Sequence, residues 1–130
     1  MPKIVCFDTR YFYELFTSKD EVVAGKLREI DRNCVERHVS VITIHEISKE
    51  LTELKGRTLA NSVIKQIKMK YTIHDVNEEI ALRSANLRVH HQIPLADAVI
   101  AATAIFIDAP ICTDDPHFSD MDACHTFWLK

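Results

Sequence analysis

The sequence predicts an α/β fold in which a central parallel sheet of about four or five strands is covered by helices on both faces. Short apolar runs such as Ile4-Val5-Cys6-Phe7 lack polar alternation, as strands buried on both faces do. They are separated by longer segments whose apolar residues recur every three or four positions, and strands alternating with helices give a parallel sheet. The chain also holds only 2 glycines and 4 prolines in 130 residues, which favours helices joined by short connections.

The elements follow in order. Ile4-Val5-Cys6-Phe7 reads as the first buried strand. Residues 9–16 look helical, and a second helix runs from about 19 to 33 with Val22, Val23, Leu27 and Ile30 at helical spacing. Residues 39–42 form a second β-branched strand, followed by a helix through Glu46, Ile47, Leu51 and Leu54. Gly56 ends that helix or bends the chain into the next, where Leu59, Val63, Ile64 and Ile67 make an apolar stripe and Lys65, Lys68 and Lys70 suit a helix C-terminus. Residues 71–74 give a third strand, and Asn77 opens a helix through Ile80, Ala81, Ser84 and Leu87. Pro94 suits the first turn of a helix over 94–106, and its alanines leave a thin surface for close packing on a sheet. Residues 111–113 form a fourth strand, 116–121 a turn or short helix and 123–127 a fifth strand.

Composition bounds the function. At 47% hydrophobic and 27% charged residues the chain reads as one ordinary globular domain over residues 1–130, long enough to bury a core. Sixteen basic against nineteen acidic residues give a net charge of −3, without the basic footprint of most nucleic-acid binders. Metal bound by several acids would offset that argument. The apolar run at the N-terminus is too short for a signal peptide and no segment is long enough to cross a bilayer, so the expected location is the cytoplasm. Cys6, Cys34, Cys112 and Cys124 form no C-x-x-C pair and read as buried free thiols.

Four acids stand beside breaks in the hydrophobic pattern: Asp8, Glu46, Asp97 and Asp115. Each has an ordinary explanation as a helix cap or a partner of a helix dipole. Their combination is more telling. Ligands of open α/β sheets gather beyond the carboxyl ends of the strands, at the topological switch point, and Asp8 and Asp115 both follow strands. Carboxylates brought together repel unless a cation compensates, and Mg²⁺ or Mn²⁺ prefers such oxygen ligands. Such a centre supports phosphodiester hydrolysis by water without a covalent nucleophile.

Four segments in this order resemble the PIN domain family: Asp8-Thr9; Val41-Ile42-Thr43-Ile44-His45-Glu46-Ile47; Ile93-Pro94-Leu95-Ala96-Asp97-Ala98-Val99-Ile100-Ala101-Ala102-Thr103-Ala104; and Thr113-Asp114-Asp115-Pro116-His117-Phe118. More narrowly, the chain is similar to the small VapC-like toxins of type II toxin–antitoxin pairs. The resemblance implies a three-layer α/β/α fold and a Mg²⁺- or Mn²⁺-dependent endoribonuclease, with Asp8, Glu46, Asp97 and Asp115 as catalytic and metal-holding acids. It offers Asp114 as the alternative fourth acid, Asp120 as an outer contact, and Thr9 and Thr113 as hydroxyl positions. It also implies an RNA substrate, a cognate antitoxin and a homodimer. Alternatives outside a toxin system are an RNA-processing nuclease or a non-catalytic RNA- or protein-binding module.

Other motifs fail on spacing. His45-Glu46 begins a zinc-protease signature, but Lys49 stands where the second His is required. Arg10 occupies the place of the second aspartate of a haloacid-dehalogenase-like phosphatase, and two glycines cannot build a Walker A loop. Arg10, Lys49, Arg83 and Arg88 are candidate phosphate grips, with Arg10 nearest the first acid. Among Tyr11, Phe12 and Tyr13, one is a candidate for base stacking and the others for the core.

Overall fold

The computed structural model describes residues 2–129. Five strands, β1 (Ile4–Phe7), β2 (Glu36–Ser40), β3 (Thr72–His74), β4 (Ile111–Cys112) and β5 (Thr126–Phe127), form one sheet in the order β3-β2-β1-β4-β5. Every neighbouring pair is parallel. Seven helices connect and cover them: α1 (Thr9–Thr17), α2 (Glu21–Asn33), α3 (Val41–Lys55), α4 (Arg57–Lys70), α5 (Glu78–His90), α6 (Leu95–Ile107) and α7 (Pro116–Ser119). The chain winds outward from β1 through β2 to β3, then returns to place β4 on the other side of β1. The switch point therefore lies between β1 and β4.

Side-chain alternation along β1 divides the molecule into three layers. Val5 and Phe7 point into a core with Tyr11, Leu27, Ile47, Leu51, Val63 and Ile67 from α1–α4. Cys6 points into the opposite core with Ile80, Leu87, Ala98, Ala101 and Ala102 from α5 and α6. The small residues of α6 are buried from Ala98 to Ala104, so this helix lies close to the sheet and its first turn approaches the ends of β1 and β4. Cys6, Cys34 and Cys112 are buried free thiols, and Cys124 is half-buried.

The expected strand over 39–42 is corrected. Strand β2 ends at Ser40 and the β-branched run Val41-Ile42-Thr43-Ile44 forms the opening of α3. Buried Ser40 caps that helix by accepting the Ile42 N–H at 3.2 Å. A short apolar run is compatible with either period, and here a side-chain cap and tertiary packing outweigh β-propensity. Glu46 consequently sits inside a helix and not at its first turn. Pro94 likewise stands one position earlier than expected, as the N-cap of α6. Leu54 and Leu59, which stand at helical spacing with the apolar residues of their helices, are exposed; Ala60, Val63 and Ile67 make the buried face of α4. Gly56 joins α3 to α4 at φ 96°, in the left-handed region that disfavours other residues.

One buried charge ties α2 to the sheet and α4. Asp31 accepts the Tyr71 hydroxyl at 2.6 Å, Arg37 Nε at 3.1 Å and Lys70 Nζ at 3.1 Å. Tyr71 also packs edge-on to Phe7 and Phe12. Burial pushes the Asp31 carboxyl up, but Tyr71, Lys70 and Arg37 together hold it below its ordinary value. A carboxyl whose folded pKa is depressed adds stability above its unfolded pKa and loses it as pH falls through the folded value. Asp31→Asn is therefore expected to cost about 1–3 kcal/mol at pH 7, with the deficit shrinking below pH 4. Thermal unfolding of both proteins at pH 7 and pH 3 tests this; an equal deficit at both would sink the ionic account.

Candidate active site

A cleft of about 660 Å³ opens above the β1–β4 switch point. Asp8, Glu46, Asp97 and Asp115 all line it, joined by Glu50 and Glu53 from α3. Arg10 is the basic lining residue among those described, and Tyr13 and Leu54 form an apolar part of the wall.

Each acid is delivered by a different element. Asp8 directly follows β1, and its N–H still bonds Cys112 O of β4 at 3.3 Å, so it stands where the two strands part. It is buried; one carboxylate oxygen accepts the Thr9 N–H at 2.7 Å and the other the Thr113 hydroxyl at 2.6 Å. Glu46 reaches in from α3 and accepts the Thr9 hydroxyl at 2.6 Å. Asp97 comes from the first turn of α6. Asp115 caps α7, accepting the His117 N–H at 2.9 Å. Its own N–H donates to Thr113 Oγ1 at 3.0 Å. Thr113 thus links Asp8 to Asp115, and Thr9 links Asp8 to Glu46.

The electrostatics match a concentration of like charge. Burial, aided by the charges of Asp97 and Asp115, raises the Asp8 carboxyl to about 7. Burial also raises Asp97, with Asp115 and Glu46 adding to the effect and His117 opposing it. Glu50 is raised by burial and by Glu46. His117 Nδ1 lies 2.8 Å from Asp97 Oδ2 and 3.2 Å from Asp115 Oδ1. The hydrogen bond to Asp97 and the charge of Asp115 raise its pKa. Such carboxylates favour ionisation once a cation joins them, and their hard oxygen donors fit a divalent ion. Asp97, Asp115 and His117 each present a ligand atom within 4.8 Å of the others.

The remaining candidates fall elsewhere. Asp114 turns away into a two-bond pair with Arg10 at 3.0 and 3.1 Å, which leaves Asp115 facing Asp97. Asp120 is exposed at the end of α7, outside the cleft lining. The Thr9 and Thr113 hydroxyls are largely buried and committed to carboxylates, so they fix acids in place. Arg10 also reaches Glu14 at 3.3 Å. Lys49 pairs with Glu53 at 2.7 Å on the exposed flank of α3. Arg88 donates to Ile93 O, away from the lining. Tyr11 and Phe12 are core residues, and Tyr13 reaches the cleft. Glu50 and Glu53 join the four acids that the sequence singles out; their signal is the spacing of four and then three, Glu46 to Glu50 to Glu53, along one helix face.

A model of the PIN domain family matches residues 5–123, and the chain belongs to that family. No curated protein matches the sequence. Among solved structures, the fold is similar to that of a chain of VapBC2 from Rickettsia felis, bound to a promoter DNA fragment, at 17% identity and a TM-score of 0.79, covering 98% of this chain and 99% of that one. It is also similar to a chain of FitAcB from Neisseria gonorrhoeae at 22% identity and 0.74, covering 95% and 96%. VapC20 of Mycobacterium tuberculosis, a Sarcin-Ricin loop cleaving toxin, is similar at 15% identity and 0.76, covering 89% and 93%. No described helix is long and apolar enough to cross a membrane.

Removing one of the opposed charges should relieve the folded state. In metal-free buffer at pH 8, Asp97→Asn retains an oxygen for His117 but ends the repulsion with Asp8, Asp115 and Glu46. The melting temperature is expected to rise by on the order of 3 °C, read by calorimetry in EDTA. A fall would show that the charges are not mutually destabilising.

Proposed function

We propose that this protein is a Mg²⁺- or Mn²⁺-dependent endoribonuclease and the toxin of a toxin–antitoxin pair, acting in the cytoplasm as one PIN domain. The observation that carries the reading is the convergence of Asp8, Glu46, Asp97 and Asp115 on one cleft at the sheet's switch point. Membership of the PIN family supports the nuclease class. The similarity to VapBC and FitAB structures, and to a toxin that cleaves the Sarcin-Ricin loop, supports the toxin assignment and a protein antitoxin as partner; a homodimer belongs to the same proposal.

On this reading Asp8, Glu46, Asp97 and Asp115 hold the ion. When bound, a divalent ion lowers the pKa of water and offsets charge on a scissile phosphate. The protein supplies placement. Thr113 and the Thr9 N–H hold both Asp8 oxygens, and the Thr9 hydroxyl holds Glu46, so the acids meet RNA with their orientations already set. Arg10 stands at the cleft, and its pair with Asp114 is exposed enough to exchange for a phosphate. Tyr13 offers its ring to an unstacked base, the mode by which single-stranded RNA is read.

The test is incubation of structured and single-stranded RNA with purified protein in Mg²⁺, Mn²⁺ or EDTA, beside the Asp97→Asn variant. Cleavage should require metal and fall by at least about 100-fold in the variant. Metal-independent cleavage, or full activity of Asp97→Asn, would refute the mechanism. RNA binding without cleavage would favour a binding module.

A further inference from the structure

The geometry points to His117 as a nitrogen ligand of the metal centre, one that turns its preference from Mg²⁺ toward first-row transition ions. This inference rests on the metal-nuclease reading and deepens it: the four acids alone describe a hard oxygen site, whereas the fifth group is an imidazole.

The placement of His117 is built. The side chain is 45% exposed, a setting in which a histidine is ordinarily free to turn to solvent, yet its Nδ1 faces inward between Asp97 and Asp115 at 2.8 and 3.2 Å. Three features of the backbone hold it there. Asp115 caps α7 through the His117 N–H. Pro116 fixes the first helical residue between them. Phe118, the next residue, is fully buried and anchors the short helix in the core with Met121. The segment Asp115-Pro116-His117-Phe118 therefore presents a carboxylate and an imidazole to the same point, while Asp97 faces them from α6.

The chemistry follows from the donor set. Carboxylates accept Mg²⁺, Ca²⁺ and Mn²⁺ alike, whereas imidazole suits transition ions and adds little for Mg²⁺. Two carboxylate oxygens and one imidazole nitrogen, with ligand atoms within 4.8 Å of one another, form a mixed set that discriminates. The other paired histidines do not compete: His38 and His74 join ring to ring at 2.8 Å on the sheet, with Glu36 on the outer side of His38, a pair closed on itself.

The experiment loads the wild-type protein and a His117→Asn variant with Mn²⁺ and records pulsed electron paramagnetic resonance for ¹⁴N coupling. Titration calorimetry with Mn²⁺ and Mg²⁺ accompanies it. Wild type should show a directly coordinated imidazole nitrogen, absent in the variant, and the ratio of Mn²⁺ to Mg²⁺ affinity should fall about 10-fold or more on substitution. A role confined to charge balance would move both affinities together and produce no nitrogen coupling. Mn²⁺ bound without ¹⁴N coupling overturns the His117 assignment and leaves the nuclease reading standing. If neither ion binds, both readings are overturned.

Discussion

The structure depends on holding several carboxylates together in a place that resists their charge. Asp8 is the hardest case: it is buried where β1 and β4 part, with its carboxyl raised to about 7 by burial and by Asp97 and Asp115. A site of this kind opposes hydrophobic folding, which would place an apolar residue there, and costs stability that the rest of the chain must offset. The two well-packed cores on either side of the sheet supply that stability without using the site. Separation of tasks is visible in single strands: Val5, Cys6 and Phe7 pack into the cores, and the next residue is the first acid.

Rigidity at the site comes from short polar links and not from a long network. Two threonines suffice. Thr113 donates to Asp8 and accepts from the Asp115 backbone; Thr9 is the first residue of α1 and holds Glu46 of α3 through its hydroxyl. Each hydroxyl can donate and accept at once, so each joins two elements that are distant in sequence. Among the described residues no buried side-chain polar atom lacks a partner, and Asp8 and Glu46 in particular are held by hydrogen bonds within the protein. Asp31 shows the contrasting use of a buried carboxylate. Surrounded by Arg37, Lys70 and Tyr71, it is neutralised within the protein.

Much of this was legible in the sequence, and the exceptions have physical causes. The unbroken apolar strands, the alternation with helices and the alanine-rich α6 led to the parallel three-layer fold because burial on both faces leaves a composition that periodicity can detect. The quartet could be picked out because each acid interrupts an apolar pattern. What was hidden was the end of β2. Val41-Ile42-Thr43-Ile44 satisfies β-propensity, and only the cap by Ser40 reveals a helix start. Glu50 and Glu53 were hidden for another reason: acids on an expected helix read as its solvated face, and only the packing of α3 beside the sheet edge turns that face to the cleft. The resemblance favoured Asp115 over Asp114 as the fourth acid, but the contact that separates the two was out of reach of the sequence: Asp114 meets Arg10 across a sequence separation of 104 residues.

The acidity of the cleft has a consequence for how substrate and ion depend on each other. Six carboxylates line it against Arg10, so an approaching polyanion meets repulsion where a nucleic-acid protein ordinarily provides attraction. On the proposed reading, divalent ions reverse that local field, and RNA then brings further oxygens to the ions. Coupling of this kind is reciprocal: whatever factor the ion adds to RNA affinity, RNA adds to ion affinity. The net charge of −3 is then no argument against a nucleic-acid substrate, because the apo surface is not the surface that RNA meets. The opposed carboxylates would serve as a requirement for metal at the binding step as well as at the chemical one.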